Sequence, residues 1–337
     1  MLTKRRDRIL KIIVREHIAT GLPVSSESIA RKGLGASSAT IRNEMVELEE
    51  EGYLRQPHTS AGRIPSDSGY RYYLESAVGS AQLSAAEQRR IRHQFHQIEG
   101  EVEQWIRLAA AIMARTVHNV AIATLPKPRQ SRFKHLELVS LHDFLALLVL
   151  VLREAKLKQQ VLALDEAATQ EELSVVARHV SAACAGLTSA EIFALPLESS
   201  HVEGQVVRSV VQIMQSEDEY DYGDPHVDGL RHMLDQPEFA ASGSLPAIVG
   251  LFEQKSLLKS LLPRVLTSEG ITVLIGRENE DDVMRDCSVI VSRYGIPGEV
   301  GGALGVLGPT RMRYDRAIST VGFLSLVMSE MVSELYR

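Results

Sequence analysis

The sequence predicts an α+β chain of more than one domain, on three observations. Helical spacing with capping residues fills the first fifty or so positions. Apolar strand-like runs take over from Phe133, and such runs return near residue 271 beyond a helical block. Strands, helices, then strands again place an insertion inside an α+β domain. A length of 337 residues exceeds one ordinary core and implies two or three domains.

Each element follows from local signals. Ile9, Leu10, Ile12, Ile13 and Ile18 recur among charges and predict an amphipathic helix over 3–20, which Gly21-Leu22-Pro23 ends. Val24-Ser25-Ser26-Glu27 starts a short helix with a serine N-cap, running to about Lys32. Gly33-Leu34-Gly35 is a tight turn. Ser37-Ser38 caps a third helix that reaches about Glu51 and stops at Gly52. A short strand over 53–56, a loop over 57–62 and a return strand at Arg63-Ile64, ended by Pro65, complete the head. Helix, short helix, glycine-containing turn and longer helix is the order of a helix-turn-helix, and the strand-loop-strand after it would form a wing. Residues 1–75 are therefore expected to be a winged helix-turn-helix that binds double-stranded DNA.

Residues 76–120 read as a long connecting helix. Ile91, Phe95, Ile98, Val102, Trp105, Ala109 and Ile112 alternate spacings of four and three, a heptad seam. The seam either lies on its own domain's sheet or joins a second chain. Three or four heptads is the lower limit for a coiled coil, which favours the first. Strands are expected at 133–141, 144–152 and 159–164, a helix at 170–185, and a mainly helical stretch at 190–265 interrupted by an acidic loop at 217–224. Strands are expected again at 271–276, 286–293 and 300–307, with a closing helix from about Arg311.

Composition bounds the function. Hydrophobic residues are 45% and charged residues 24%, as in ordinary globular chains. Cys184 and Cys287 are the only cysteines, too few for a disulfide framework or a zinc site, and point to a reduced, cytoplasmic compartment. No signal-peptide core follows Met1, because Lys11, Arg15 and Glu16 break the apolar residues. The most apolar run, 144–152, is far short of the ~20 residues of a membrane helix, so no membrane partner is expected. The net charge is −6, but unevenly spread: residues 1–76 hold twelve Lys and Arg against ten Asp and Glu, and the rest of the chain 25 against 33. A near-neutral head on an acidic body suits a DNA-binding module joined to something else.

On the third helix Ile41, Met45 and Leu48 fall on one face and point inward. The opposite side carries Ala39, Asn43, Val46 and Glu50, flanked by Thr40 and Arg42. Ser37, Ser38, Thr40, Arg42 and Asn43 are thus the candidates for DNA contact from the first two turns. Arginine pairs bidentately with guanine and asparagine with adenine, while serine and threonine suit phosphate. Glu47, Glu49, Glu50 and Glu51 lie at the other end and read as a solvated helix end outside the groove. The loop His58-Thr59-Ser60-Ala61-Gly62-Arg63 suits close approach to a phosphate backbone, with His58, Thr59, Ser60 and Arg63 as contacts, or forms an ordinary hairpin turn. Lys4, Arg5, Arg6 and Arg8 are phosphate anchors or a solvated basic end.

These residues resemble the HrcA heat-shock repressor family. The match rests on Ser37-Ser38-Ala39-Thr40-Ile41-Arg42-Asn43-Glu44-Met45, Leu48-Glu49, Gly52-Tyr53-Leu54 and Gln56-Pro57-His58-Thr59-Ser60-Ala61-Gly62-Arg63-Ile64-Pro65. It continues at Asp286-Cys287-Ser288-Val289-Ile290 and Gly308-Pro309-Thr310-Arg311-Met312-Arg313-Tyr314. Ser66 stands where the family pattern has threonine. The resemblance implies a GAF-like α+β domain in two parts, 121–189 and 266–337, with a mainly helical dimerisation domain inserted at 190–265. It implies a non-enzymatic, dimeric repressor of the chaperonin and DnaK-machinery operons, binding an inverted-repeat operator, relieved on heat stress and promoted by a GroEL-type chaperonin. Two related winged helices read a palindrome. Leu257-Leu258 and Leu261-Leu262 fit either the two-fold contact or that subdomain's own core.

Other constellations are weaker. Gly295, Gly298, Gly301, Gly302, Gly305 and Gly308 read as a turn and a glycine-containing strand ahead of a nucleotide loop, since no Gly-Lys-Ser/Thr follows. The acidic loop lacks the order of a calcium loop. No histidine pair has ligand spacing, no nucleophile–base pattern occurs, and Cys287 reads as core. No cofactor is expected. The competing reading is a repressor whose GAF-like domain answers to a small effector.

Overall fold

The computed structural model describes residues 2–58, 61–77, 82–98, 101–128, 130–153, 157–197, 200–218, 225–242, 250 and 270–336. It is a mixed α+β structure with antiparallel sheets. The chain divides into two compact units: Met1–Pro126 with Tyr222–Ile296 and Gly301–Arg337, and Lys127–Asp221 with Pro297–Val300.

The first unit opens with α1 (Lys4–Thr20), α2 (Ser26–Ala30) and α3 (Ser38–Glu50). Side chains of Thr3, Ser25 and Ser37 cap their N-termini, and Gly21 ends α1 at φ 70°. Ile9, Leu10, Ile13, Ile29, Ile41 and Leu48 are fully buried. Strands β1 (Leu54–Arg55) and β2 (Ile64–Pro65) pair antiparallel, and Arg63 bridges to Val24 through two 2.9 Å backbone hydrogen bonds. Helix α4 (Asp67–Ala77) follows directly. The Ser66 hydroxyl starts it, donating to the Gly52 carbonyl at 2.6 Å and accepting from the Gly69 N–H, a role threonine would fill equally.

The expected long connecting helix is two helices, α5 (Ala85–His96) and α6 (Val102–Val117). The heptad seam therefore does not run along a single helix; Gly100, a poor helix former, lies between them. Ile91, Phe95, Trp105, Ala109 and Ile112 are all buried within the chain. Strand β3 (Val120–Ala123) closes this stretch.

The second unit holds β4 (Lys127–Pro128) and a three-stranded meander of β5 (Phe133–His142), β6 (Leu145–Leu152) and β7 (Leu157–Ala163), with α7 (Gln170–Cys184), α8 (Ser189–Phe193) and α9 (His201–Asp218). Phe133, Leu136, Leu148, Leu150, Leu173, Val180, Ile192, Val206 and Val210 share one core. That shared core moves the inserted unit to 127–221 from the expected 190–265. The sequence reading puts these strands in the first part of a GAF-like domain, because strand pattern alone does not say which helices cover a sheet. Most of 217–224, and all four leucines at 257–262, lie outside the described residues.

The first unit resumes with β8 (His226–Asp228), α10 (Leu230–Leu234), α11 (Pro237–Ser242), β9 (Ile271–Ile275), β10 (Cys287–Ile296), β11 (Val300–Pro309) and α12 (Tyr314–Leu335). Its sheet order is β8-β3-β11-β10-β9. Val120, Ile122, Leu274, Val289, Val291 and Leu307 pack with Met233, Phe239 and Met284. Helix α12 packs on β10 and α6. By length and composition α12 is apolar enough to cross a membrane, yet Tyr314, Ala317, Val321, Leu324 and Met328 are fully buried in the fold. The glycine-rich stretch is the β10–β11 hairpin. A Cβ on Gly302 would lie 2.5 Å from the Tyr294 hydroxyl and 2.6 Å from its ring, so this glycine serves packing, while Gly298 at φ 83° serves the turn. Burial pushes the Cys184 thiol up to about 11 and the Cys287 thiol up to about 12.

Candidate nucleic-acid interface

Helix α3 is set by what its inner face and its flanks bind. Ile41, Met45 and Leu48 are buried, while Ala39, Arg42, Asn43, Val46 and Glu50 are exposed. Ser37 accepts from the Thr40 N–H at 3.1 Å, and the two hydroxyls lie 3.0 Å apart, so both lock the helix start. Ser38 turns toward α2, 2.9 Å from the Ser26 hydroxyl and 3.4 Å from a Glu27 carboxylate oxygen. Of the five helix candidates, Arg42 and Asn43 are the two whose side chains remain exposed with no hydrogen-bond or ion-pair partner among the described residues. Arg42 faces a cavity of about 200 Å³ that Ser26, Glu27, Gln56, Gly62 and Arg63 also line.

The hairpin beside it is held from within. His58 is exposed, and its carbonyl accepts from the Ala61 N–H at 2.9 Å. Thr59 and Ser60 lie outside the described residues. Gln56 donates its side-chain N–H to the Ala61 carbonyl at 3.0 Å, a brace that sequence reasoning missed although Gln56 stands in the quoted motif. A Cβ on Gly62 would sit 2.3 Å from the Val24 carbonyl oxygen. The glycine thus allows two chain segments of the head to touch. Arg63 is drawn inward as well: its Nε lies 2.8 Å from a Glu49 carboxylate oxygen and its side chain is 14% exposed.

The acidic end of α3 is not simply solvated. Arg6 reaches Glu44 at 2.8 Å and Glu51 at 2.7 Å and also pairs with Glu47. Arg5 lies 3.4 Å from Glu44. Arg6 is therefore a buttress between α1 and α3, and among the described residues Lys4 and Arg8 are the exposed cations without such a partner on α1's first turns. Sequence periodicity put Glu47 and Glu51 on the solvated end of the helix but carried no sign of their partner Arg6, some 40 positions away.

Helix α4 ties this assembly to the rest of the unit. Arg71 pairs bidentately with Glu278 and donates to the Val273 carbonyl at 2.7 Å. Asp67 accepts from the Arg277 N–H at 3.0 Å. The Tyr70 ring packs tilted against that of Tyr314, centroids 5.8 Å apart, and its hydroxyl lies 2.6 Å from His17 Nδ1. Burial, helped by the Arg311 guanidinium, holds His17 down to about 4. Tyr314 in turn meets Ser288 at 2.7 Å, so the two C-terminal sequence signatures converge behind α4.

The chain is similar along its whole length to proteins already known. A family model described as the HrcA protein C terminal domain covers residues 103–318. Heat-inducible transcription repressor HrcA of Dehalococcoides mccartyi is 47% identical over 337 residues, covering 100% of this chain and 97% of that protein. Its namesakes in Herpetosiphon aurantiacus and Chloroflexus aurantiacus are 46% and 45% identical, covering 99% and 100% of this chain and 96% and 95% of theirs. A crystal structure of a hypothetical protein, 23% identical, superposes with a TM-score of 0.63 over 99% of both chains and so shares the fold. The chain belongs to the HrcA family of heat-inducible transcription repressors.

Proposed function

We propose that this chain represses transcription of heat-shock genes as a dimer, its head a winged helix-turn-helix that inserts α3 into the major groove of double-stranded DNA. The observation that carries the reading is the exposed Arg42–Asn43 pair near the N-terminus of a capped helix whose opposite face is buried. The β1–β2 hairpin is the wing, and His58, with Thr59 and Ser60 next in sequence, approaches the backbone. Ser37, Ser38 and Thr40 contribute mainly by fixing the helix start, and Arg63 by fixing the wing. The β8-β3-β11-β10-β9 sheet with α6 and α12 is the GAF-like domain. The operator is an inverted repeat upstream of chaperonin and DnaK-machinery genes, and a GroEL-type chaperonin in the cytoplasm promotes the active form.

The two-fold contact falls on the outer face of the β5-β6-β7 sheet. Leu147 sits between Val139 and Val161 across the strands, with Leu145, Val149, Val151 and Leu157 on the same side. Val139, Leu145, Leu157 and Val161 are exposed. A contiguous apolar patch of this kind marks an association surface. The test is a gel shift at fixed salt, using the chaperonin-operon promoter from the source genome. A sequence-specific shift that strengthens with added chaperonin supports the proposal. A shift indifferent to chaperonin but altered by a metabolite refutes the chaperonin control and points to an effector in the GAF-like domain.

A further inference from the structure

The exposed face of α3 carries an apolar side chain that the base-pairing residues do not explain. Among the described residues up to 75, Leu22 in a loop and Val46 on α3 are the exposed large hydrophobics, at 66% and 37%. Valine is a poor choice for an exposed helix position, because its branched side chain loses χ1 freedom there. Arg42, Asn43, Glu47 and Glu50 around it are all polar and exposed. Val46 lies one turn beyond Asn43, about 4.5 Å along the axis, and Ala39 lies about 6 Å before it. All three share the outward stripe opposite Ile41, Met45 and Leu48. No carboxylate separates Asn43 from Val46: Glu44, Glu47 and Glu51 are drawn sideways to Arg6 and Glu49 to Arg63.

The major-groove edge offers one apolar feature to such a side chain, the 5-methyl group of thymine. We infer that Val46 is a specificity-determining residue that packs on a thymine methyl, beside the base edge read by Asn43. The inference rests on α3 being the groove-entering helix. It makes the half-site readout part polar and part apolar, and it selects thymine at a position where no hydrogen bond is made.

The test uses the full-length chain and a duplex that it selects from a randomised pool. Each thymine of one half-site is replaced in turn by deoxyuridine, which removes the methyl and keeps every hydrogen-bonding group. One replacement is expected to weaken binding of the parent about fourfold, the worth of one buried methyl group. V46A, an exposed change that favours the helix, should bind thymine and uracil duplexes equally at that position. Val46→Thr keeps a γ-methyl and should keep the discrimination. If no thymine-to-uracil change affects the parent, or if V46A retains the full penalty, the assignment is overturned. If the pool yields no enriched sequence at all, the DNA-reading role of the head fails with it.

Discussion

At the scale of single residues, Arg42 and Asn43 differ from the other candidates on α3 by being exposed with no side-chain hydrogen-bond or ion-pair partner among the described residues. Replacing either with alanine should cost about 1–3 kcal/mol of operator binding and relax the preference at one base position, measured by anisotropy titration at fixed salt. Unchanged affinity in both variants would show that another face of α3 meets the DNA. These two were legible in the sequence because the helical wheel fixes inside and outside. Arg6 and Arg63 were not, because a side chain's partner depends on which distant residue the fold brings near. His17 supports a different prediction. Its folded value, about 4, lies below the ordinary 6.5, so the unfolded chain binds more protons between those values. Stability therefore stays full above pH 6.5 and is lost as pH falls toward 4, by at most about 1.4 kcal/mol per pH unit from this group. Denaturant melts of H17Q across that range should show a shallower slope than the parent; an equal slope would assign the loss to other groups.

At the scale of elements, the caps and stops were the most readable features. Serine N-caps and Gly21 and Gly52 stand where the helices begin and end. The role of Gly62 was readable only in kind. A loop glycine announces close approach, but the approaching group is the Val24 backbone, which no local pattern reveals. Gly62→Ala should part β2 from the α1–α2 loop and lower stability by about 1–3 kcal/mol in thermal or urea denaturation. A variant as stable as the parent would mean that the bridge between Arg63 and Val24 yields at no cost. The connecting segment shows the limit of periodicity. Spacings of four and three persist across the break between α5 and α6 because both helices bury a stripe against the same unit.

At the scale of the whole molecule, strands and helices were placed well, but the division between units was not. The meander and α7–α9 form one core because the inner residues of β5 and β6 find their cover in helices up to 80 positions later, a pairing of faces that sequence order does not encode. The meander's outer face gives the test of assembly. Leu147→Glu puts a charge at its centre and should convert the dimer to a monomer by sedimentation velocity, with unchanged circular dichroism. A variant that still sediments as a dimer would move the contact elsewhere. Within the first unit, the Arg71–Glu278 pair is about one-third exposed on each side, so a double-mutant cycle should give roughly 0.5–1 kcal/mol, shrinking with added salt. Zero coupling at low salt would mean that Asp67 and Tyr70 alone seat α4. The same pair also sets an order of events during synthesis. Arg71 and Glu278 are 207 positions apart, and at ~5–20 residues per second a ribosome needs about 10–40 s to travel between them. For that interval each nascent chain presents a finished head without its anchor, and a translation stall short of Glu278 prolongs that state.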